Sequence, residues 1–284
     1  MRAYHPPRSL TVATPRGPLR VDVYGDDGRP PHLLLHGIPG WRGTWRRVAA
    51  ILARDHQVFV PDLLGFGESA PAATDIHAEG QAAVLECLLD GLALGPVHLA
   101  GFDFGGPTAV SLYARRPSGV ASLALLATNV FTDPPIPLLL QIARLPMIGD
   151  AAFRVMFGRA GLSMMWPAAV RNRDAFPKPQ FSEALRWPHG ITATRTIFLD
   201  SLRDLKRLYG PVEQTLGQIT APAVVVWGDS DPFFSLEVGK RTAAAIPGAA
   251  FRHVSHCGHF IPEEFPDLTA AVIGDLAREV QRGY

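Results

Sequence analysis

Short apolar runs bounded by turn residues recur along the chain: "HLLLHG", "QVFVPD", "VHLAGFD", "VASLALLAT" and "AVVVWGD". They lack the polar alternation of a half-solvated strand, which is the pattern of strands covered on both faces. Ahead of them, "LTVATPRGPLRVDVYG" predicts two strands joined by a turn containing Pro and Gly. Helical spacing fills the intervals, over Gly43 to Arg54, Glu79 to Leu92 and Gly105 to Arg115. Strand and helix therefore alternate, which predicts an α/β fold: a mainly parallel, twisted sheet flanked by helices.

The alternation stops after Thr128. From Asn129 to Gln218 no strand-like run occurs, prolines are frequent and two apolar segments have helical spacing, so an inserted helical cap is predicted over residues 129–218. The core would then be residues 1–128 and 219–284, with "APAVVVWGDSD" resuming the sheet. A helix near Leu236 to Ile246, a strand near Ala250 to Val254 and a closing helix from Pro262 complete it. In such sheets ligands bind beyond the carboxyl ends of the strands.

Composition narrows the partners. The 284 residues are 47% hydrophobic and 19% charged, enough to bury a large core. The net charge of +1 comes from 27 basic and 26 acidic residues spread along the chain, which predicts no nucleic-acid partner and no membrane partner. A small apolar molecule is the expected partner. The opening "MRAYHPPRSLTVATPRG" lacks the apolar stretch of a signal peptide, and no uncharged run reaches the ~20 residues of a membrane span. A cytoplasmic location is expected. Cys87 and Cys257 are expected to be free thiols.

The chemistry begins at "AGFDFGGPT", residues Ala100 to Thr108. Asp103 follows an apolar strand and precedes a helix whose first residues are small, the strand–turn–helix context of a nucleophile elbow. Asp is also a preferred N-cap, so this stretch alone fits both readings. Order along the chain favours the nucleophile: Asp103, then "WGDSD" after a later strand, then "SHCGHF" near the end. His259 is the expected base and Asp231 the carboxylate that orients it, with Asp229 and Asp133 as rivals. The turn "LLLHGIPG" places the N–H of Ile38 where it can serve an oxyanion together with that of Phe104, and His36 is expected to hold that loop beside the substrate. The cluster His253, His256, Cys257 and His259 has no partner cluster elsewhere to close a zinc site, so no metal is expected.

"HGIPG", "DLLGFGES", "GFDFGG", "WGDSDPFF" and "GHFIPEEFP" occur in order, and together they resemble the α/β-hydrolase fold, in its branch with an aspartate nucleophile. Haloalkane dehalogenases and epoxide hydrolases form that branch. The resemblance implies that Asp103 attacks an sp³ carbon to form an alkyl-enzyme ester, which water activated by His259 and Asp231 hydrolyses without any cofactor. The residues that select the substrate depart from the branch. Where dehalogenases carry a Trp beside the nucleophile and an Asn in the turn, this chain has Phe104 and Ile38. A halide site would need Trp41, Trp166 or Trp187. The arginines of fluoroacetate dehalogenases are missing from "DFGGP". Epoxide hydrolases bring two cap tyrosines, and this cap offers Tyr209, with Tyr113 read as structural. Epoxides are slightly preferred on that ground.

The cap stretches "LLLQIARLPM", "FRVMFG" and "SMMWP" suggest an apolar pocket wall. Two further readings remain open at this point. Asp103 could act as a noncovalent acid or base in lyase, cyclase or addition chemistry, or the chain could be a ligand-binding protein on a hydrolase scaffold.

Overall fold

The computed structural model describes residues 6–71, 75–136 and 141–283. Eight strands form one sheet: β1 (Arg8–Val12), β2 (Leu19–Tyr24), β3 (Pro31–Leu35), β4 (Gln57–Pro61), β5 (Val97–Phe102), β6 (Val120–Leu126), β7 (Ala223–Gly228) and β8 (Ala250–Val254). Their spatial order is β1-β2-β4-β3-β5-β6-β7-β8. β1, β2 and β4 pair antiparallel, and every pairing from β4 across to β8 is parallel.

The apolar runs are explained by burial on both faces. Leu33, Leu35, Leu99, Leu123 and Val225 pack in one cluster with helices α2 (Ala78–Gly91) and α3 (Gly105–Arg115). The residues between them, Leu34, Ala100, Ala124 and Val226, pack in a second with α1 (Arg46–Leu52) and the closing helix. Each alternate residue thus needs an apolar side chain, and no polar alternation survives.

Between β6 and β7 the described chain contains no strand. It forms α4 (Pro146–Met156), α5 (Arg159–Ala169), α6 (Pro188–Arg203) and α7 (Leu205–Leu216), with a short turn of helix at Lys178–Phe181. The sequence shows only two of these clearly, because Pro167 and Pro211 sit inside helices and break the pattern. Leu138 to Leu140 of the "LLLQIARLPM" stretch lie outside the described residues. After β7 come α8 (Leu236–Ala245) and α9 (Pro266–Gln281). The closing helix starts later than Pro262, because Phe265 breaks it from a separate turn at Ile261–Glu264.

Candidate active site

Asp103 stands at the end of β5 with φ of +51°, a left-handed conformation that Asp tolerates better than most residues. The neighbouring strand holds it there. Its N–H donates to Leu126 O at 3.0 Å, and its carbonyl accepts from Thr128 Oγ1 at 2.6 Å. Close packing sets the residue type that follows, since a Cβ on Gly106 would lie 2.1 Å from Thr128 Oγ1. Helix α3 begins only at Gly105, with Phe104 in the N-cap position and no side chain capping it. The capping reading of Asp103 therefore fails, and its carboxylate has other partners.

Oδ1 of Asp103 accepts from the N–H of Ile38 at 2.7 Å. Oδ2 lies 3.5 Å from Nε2 of His259. On its far side His259 donates through Nδ1 to Oδ2 of Asp231 at 2.8 Å. Asp231 is itself fixed, because its Oδ1 accepts from the N–H groups of Phe233 and Phe234 at 2.8 and 3.1 Å. Burial by itself lowers the pKa of His259, but Asp231 and Asp103 on either side outweigh it and push it up to about 10. An imidazolium between two carboxylates is the resting form this geometry favours.

Neither rival acid reaches the histidine. Asp229 accepts from the hydroxyl of Ser230 at 2.9 Å, and Asp133 is exposed and paired with Arg241 at 2.7 Å. Among the described residues no group of three or more His, Cys, Asp or Glu is placed to hold a metal. His253 and His256 are exposed, whereas Cys257 and His259 are buried.

These groups open onto a cavity of about 390 Å³, lined on its other side by the helical insertion. Ile38 and Phe104 line its floor, and Met156, Phe157, Met165 and Phe198 are among the insertion residues on its wall. Tyr209 and Ser201 bring hydroxyl groups to it, 3.5 Å apart. Burial, and then the charge of Asp103, push the Tyr209 phenol up to about 12 against the bond to Ser201, so it keeps its proton. Tyr113 is elsewhere, bonded through its hydroxyl to Thr220.

Four residues expected at the substrate are not on the cavity wall. Trp166 donates its indole N–H to Phe176 O at 3.0 Å. Trp41 and Trp187 pack against each other with centroids 5.0 Å apart. His36 is fully buried, and its Nε2 accepts from the N–H of Leu63 at 3.0 Å, which leaves Nδ1 to donate to Gly37 O at 2.8 Å. It staples the turn carrying Ile38 to the loop after β4. In each case the polar atom is already satisfied by backbone or the ring is already packed.

One contributor escapes sequence reasoning. The N–H of His259 donates to Ala169 O in the insertion at 2.9 Å, and the buried carboxylate of Glu264 accepts from the N–H groups of Arg171 and Asn172 at 2.7 and 2.9 Å. The insertion thereby grips the histidine loop directly. A buried Glu beside a helix start carries no signal of that partner in the sequence.

Among the described residues no helix is long and apolar enough to cross a membrane. The chain is 27% identical to a 2-hydroxy-6-oxononadienedioate/2-hydroxy-6-oxononatrienedioate hydrolase of Dechloromonas aromatica, over 94% of each protein. It is also 27% identical to a cis-3-alkyl-4-alkyloxetan-2-one decarboxylase of Shewanella oneidensis, over 88% of this chain and 83% of that protein. The solved structure of an epoxide hydrolase, CorEH, superposes with a TM-score of 0.80 over 96% of this chain and 99% of the other; at 19% identity the likeness concerns the fold alone. The family model for the alpha/beta hydrolase fold matches residues 30–154 and 150–266, and the chain belongs to that family.

Proposed function

We propose that this member of the hydrolase family opens epoxides of apolar molecules through a covalent intermediate on Asp103. The observation that carries the reading is the pairing, across one apolar cavity, of the Asp103 carboxylate with the phenol of Tyr209, which stays protonated. Asp103 attacks a ring carbon, the carbon–oxygen bond breaks, and the leaving oxygen takes its proton from the phenol. Among the described residues no tryptophan lines the cavity to offer a halide an indole N–H, which weighs against the haloalkane reading.

Alkylation turns the Asp103 carboxylate into a neutral ester and removes one of the two charges that raise His259. The imidazolium then gives its proton to the Tyr209 phenolate left by ring opening, and the neutral imidazole can deprotonate water for attack on the ester carbonyl. The N–H of Ile38 is aligned with Oδ1, where the charge of that tetrahedral intermediate develops.

The Shewanella relative supports a second reading, in which the strained ring is a four-membered lactone. Attack at its C–O carbon followed by loss of carbon dioxide would expel Asp103 and leave an alkene, with no water consumed.

Intact-mass analysis of a His259→Gln variant incubated with apolar epoxides tests the proposal. The expected gain is the mass of the whole epoxide, absent from an Asp103→Asn control. Turnover by the parent protein with no adduct in His259→Gln would overturn it. In water labelled with oxygen-18, the hydrolytic reading places label in Asp103 and the lactone reading places none.

A further inference from the structure

Beside the catalytic cavity lies a second one of about 20 Å³, where the core meets the insertion. Glu263 and Gln180 line it, and their atoms Oε2 and Oε1 are buried without a hydrogen-bond partner among the described residues. Glu263 as a whole is 4% exposed. Its burial, with Glu183 adding to it and Arg46 and Arg47 opposing it, pushes its carboxyl up to about 8. At neutral pH it therefore carries a proton, so the small cavity presents one O–H donor and one amide acceptor. A water molecule that accepts from Glu263 and donates to Gln180 satisfies both, and about 10–15 Å³ is the space one water needs.

Three residues, Pro39, Phe181 and Phe260, line both cavities. These three residues form the partition between them. Phe260 directly follows His259, and its ring centroid is 5.3 Å from that of Phe181, edge to face.

We infer that the Glu263–Gln180 cavity holds the water that hydrolyses the ester on Asp103 and delivers it past Phe181 and Phe260. The inference rests on the covalent reading above. An apolar substrate in the main cavity displaces water from around His259, which favours a water supply from the protein side. In the step itself the water oxygen bonds to Cγ of Asp103 while His259 Nε2 takes one of its protons. The bond from Cγ to the alkoxy oxygen then breaks, and that oxygen takes the proton from His259. Ester and water become carboxylic acid and alcohol, and the acid proton passes to His259, which restores the Asp103 carboxylate and the resting imidazolium.

Glu263→Met and Gln180→Met each remove a polar partner at similar volume. Rapid-quench mass spectrometry with an apolar epoxide should show alkylation of Asp103 unchanged and hydrolysis slowed roughly tenfold in both, so that the alkyl-enzyme accumulates during turnover. Equal hydrolysis rates in the variants and the parent, or an equal fall in both steps, would overturn the inference. A crystal structure of the parent protein gives a reading independent of any variant's folding: water density bridging Glu263 and Gln180 supports it, and a dry cavity overturns it. Absence of an adduct in His259→Gln would instead count against the covalent reading itself.

Discussion

The N–H of Ile38 donates to Oδ1 of Asp103 at 2.7 Å although the two residues stand 65 positions apart. The bond joins the turn after β3 to the elbow after β5, and its length depends on the residue between them. A Cβ on Gly37 would lie 2.5 Å from both Cβ and Oδ1 of Asp103. Gly37→Ala should push the turn off the carboxylate and withdraw one oxyanion donor. The expected loss in kcat is about 10²–10³-fold with the fold retained, measured by steady-state kinetics beside circular dichroism. Activity within twofold of the parent would remove Ile38 from the mechanism.

Tyr209 and Ser201 are the hydroxyl groups that the insertion brings to the cavity. Tyr209→Phe keeps the ring and deletes the proton. Ring opening of an epoxide should slow by roughly 10²-fold, the ordinary contribution of a positioned general acid, while ester hydrolysis on Asp103 keeps its rate. Trp166→Phe serves as contrast. Its indole N–H is bonded to Phe176 O outside the cavity wall, so alkylation should be unaffected. Loss of alkylation in Trp166→Phe with none in Tyr209→Phe would reverse the assignment of the leaving-group donor.

The strands and the order of Asp103, Asp231 and His259 are legible in the sequence for a simple reason. A strand buried on both faces must be apolar throughout, and a polar residue at its end stands out. The insertion is legible only as an interruption, since its helices contain proline and pack half-exposed around a cavity. The tryptophans mislead because an indole N–H in a sequence has no visible partner. Only the fold shows that Trp166 reaches a carbonyl ten residues on and that Trp41 meets Trp187. Tyr209 and Glu263 gain their meaning from neighbours distant in the chain, and nothing local to "LKRLYG" or "IPEEF" encodes those neighbours.

Arg42 and Asp62 form an ion pair beneath the turn that carries Ile38. Arg42 is 7% exposed and Asp62 fully buried. The Asp62 carboxylate also accepts from the N–H groups of Arg42 and Glu68 at 2.7 and 2.8 Å, and Arg42 reaches Asp22 at 3.0 Å. Asp62→Ala takes one of three carboxylates from a buried guanidinium that keeps Asp22 and Glu68, each at 3.0 Å, and strands two N–H groups. With Asp22 and Glu68 still compensating Arg42, the loss comes from the N–H groups left unpaired, about 1–3 kcal/mol, so the urea midpoint should fall below that of the parent. A change under about 0.5 kcal/mol would mean that water replaces the carboxylate at no cost.

His32, His56 and His98 meet at the end of the sheet opposite Asp103. Their rings lie 4.5 Å apart for His32 and His56 and 5.0 Å for His32 and His98, and all three residues are buried. Neither ring nitrogen of His32 has a hydrogen-bond partner among the described residues, and His98 Nδ1 lies 2.9 Å from Ser122 Oγ. Burial first, and then the mutual proximity of the rings, hold His32 well below 6.5 and bring His98 down to about 4. His56 is lowered as well, by burial, with its bond to Leu52 and the charge of Asp55 opposing and Arg278 and Arg29 adding to the fall. Between pH 6.5 and 4 the unfolded chain therefore binds protons that the folded chain refuses, and stability falls as pH falls through that window. Two groups act in the opposite sense. Glu263, up at about 8, and His259, up at about 10, bind protons more tightly when folded, so the stability they contribute is lost as pH rises from 4.5 to 8 and from 6.5 to 10 respectively. Below 6.5 three histidines outweigh one glutamate, and above it the histidines are neutral in both states. Thermal unfolding should thus show a stability maximum near pH 6.5. His32→Leu should flatten the acid limb and leave the alkaline limb in place, and an acid limb equally steep in that variant would exclude the buried cluster as its cause.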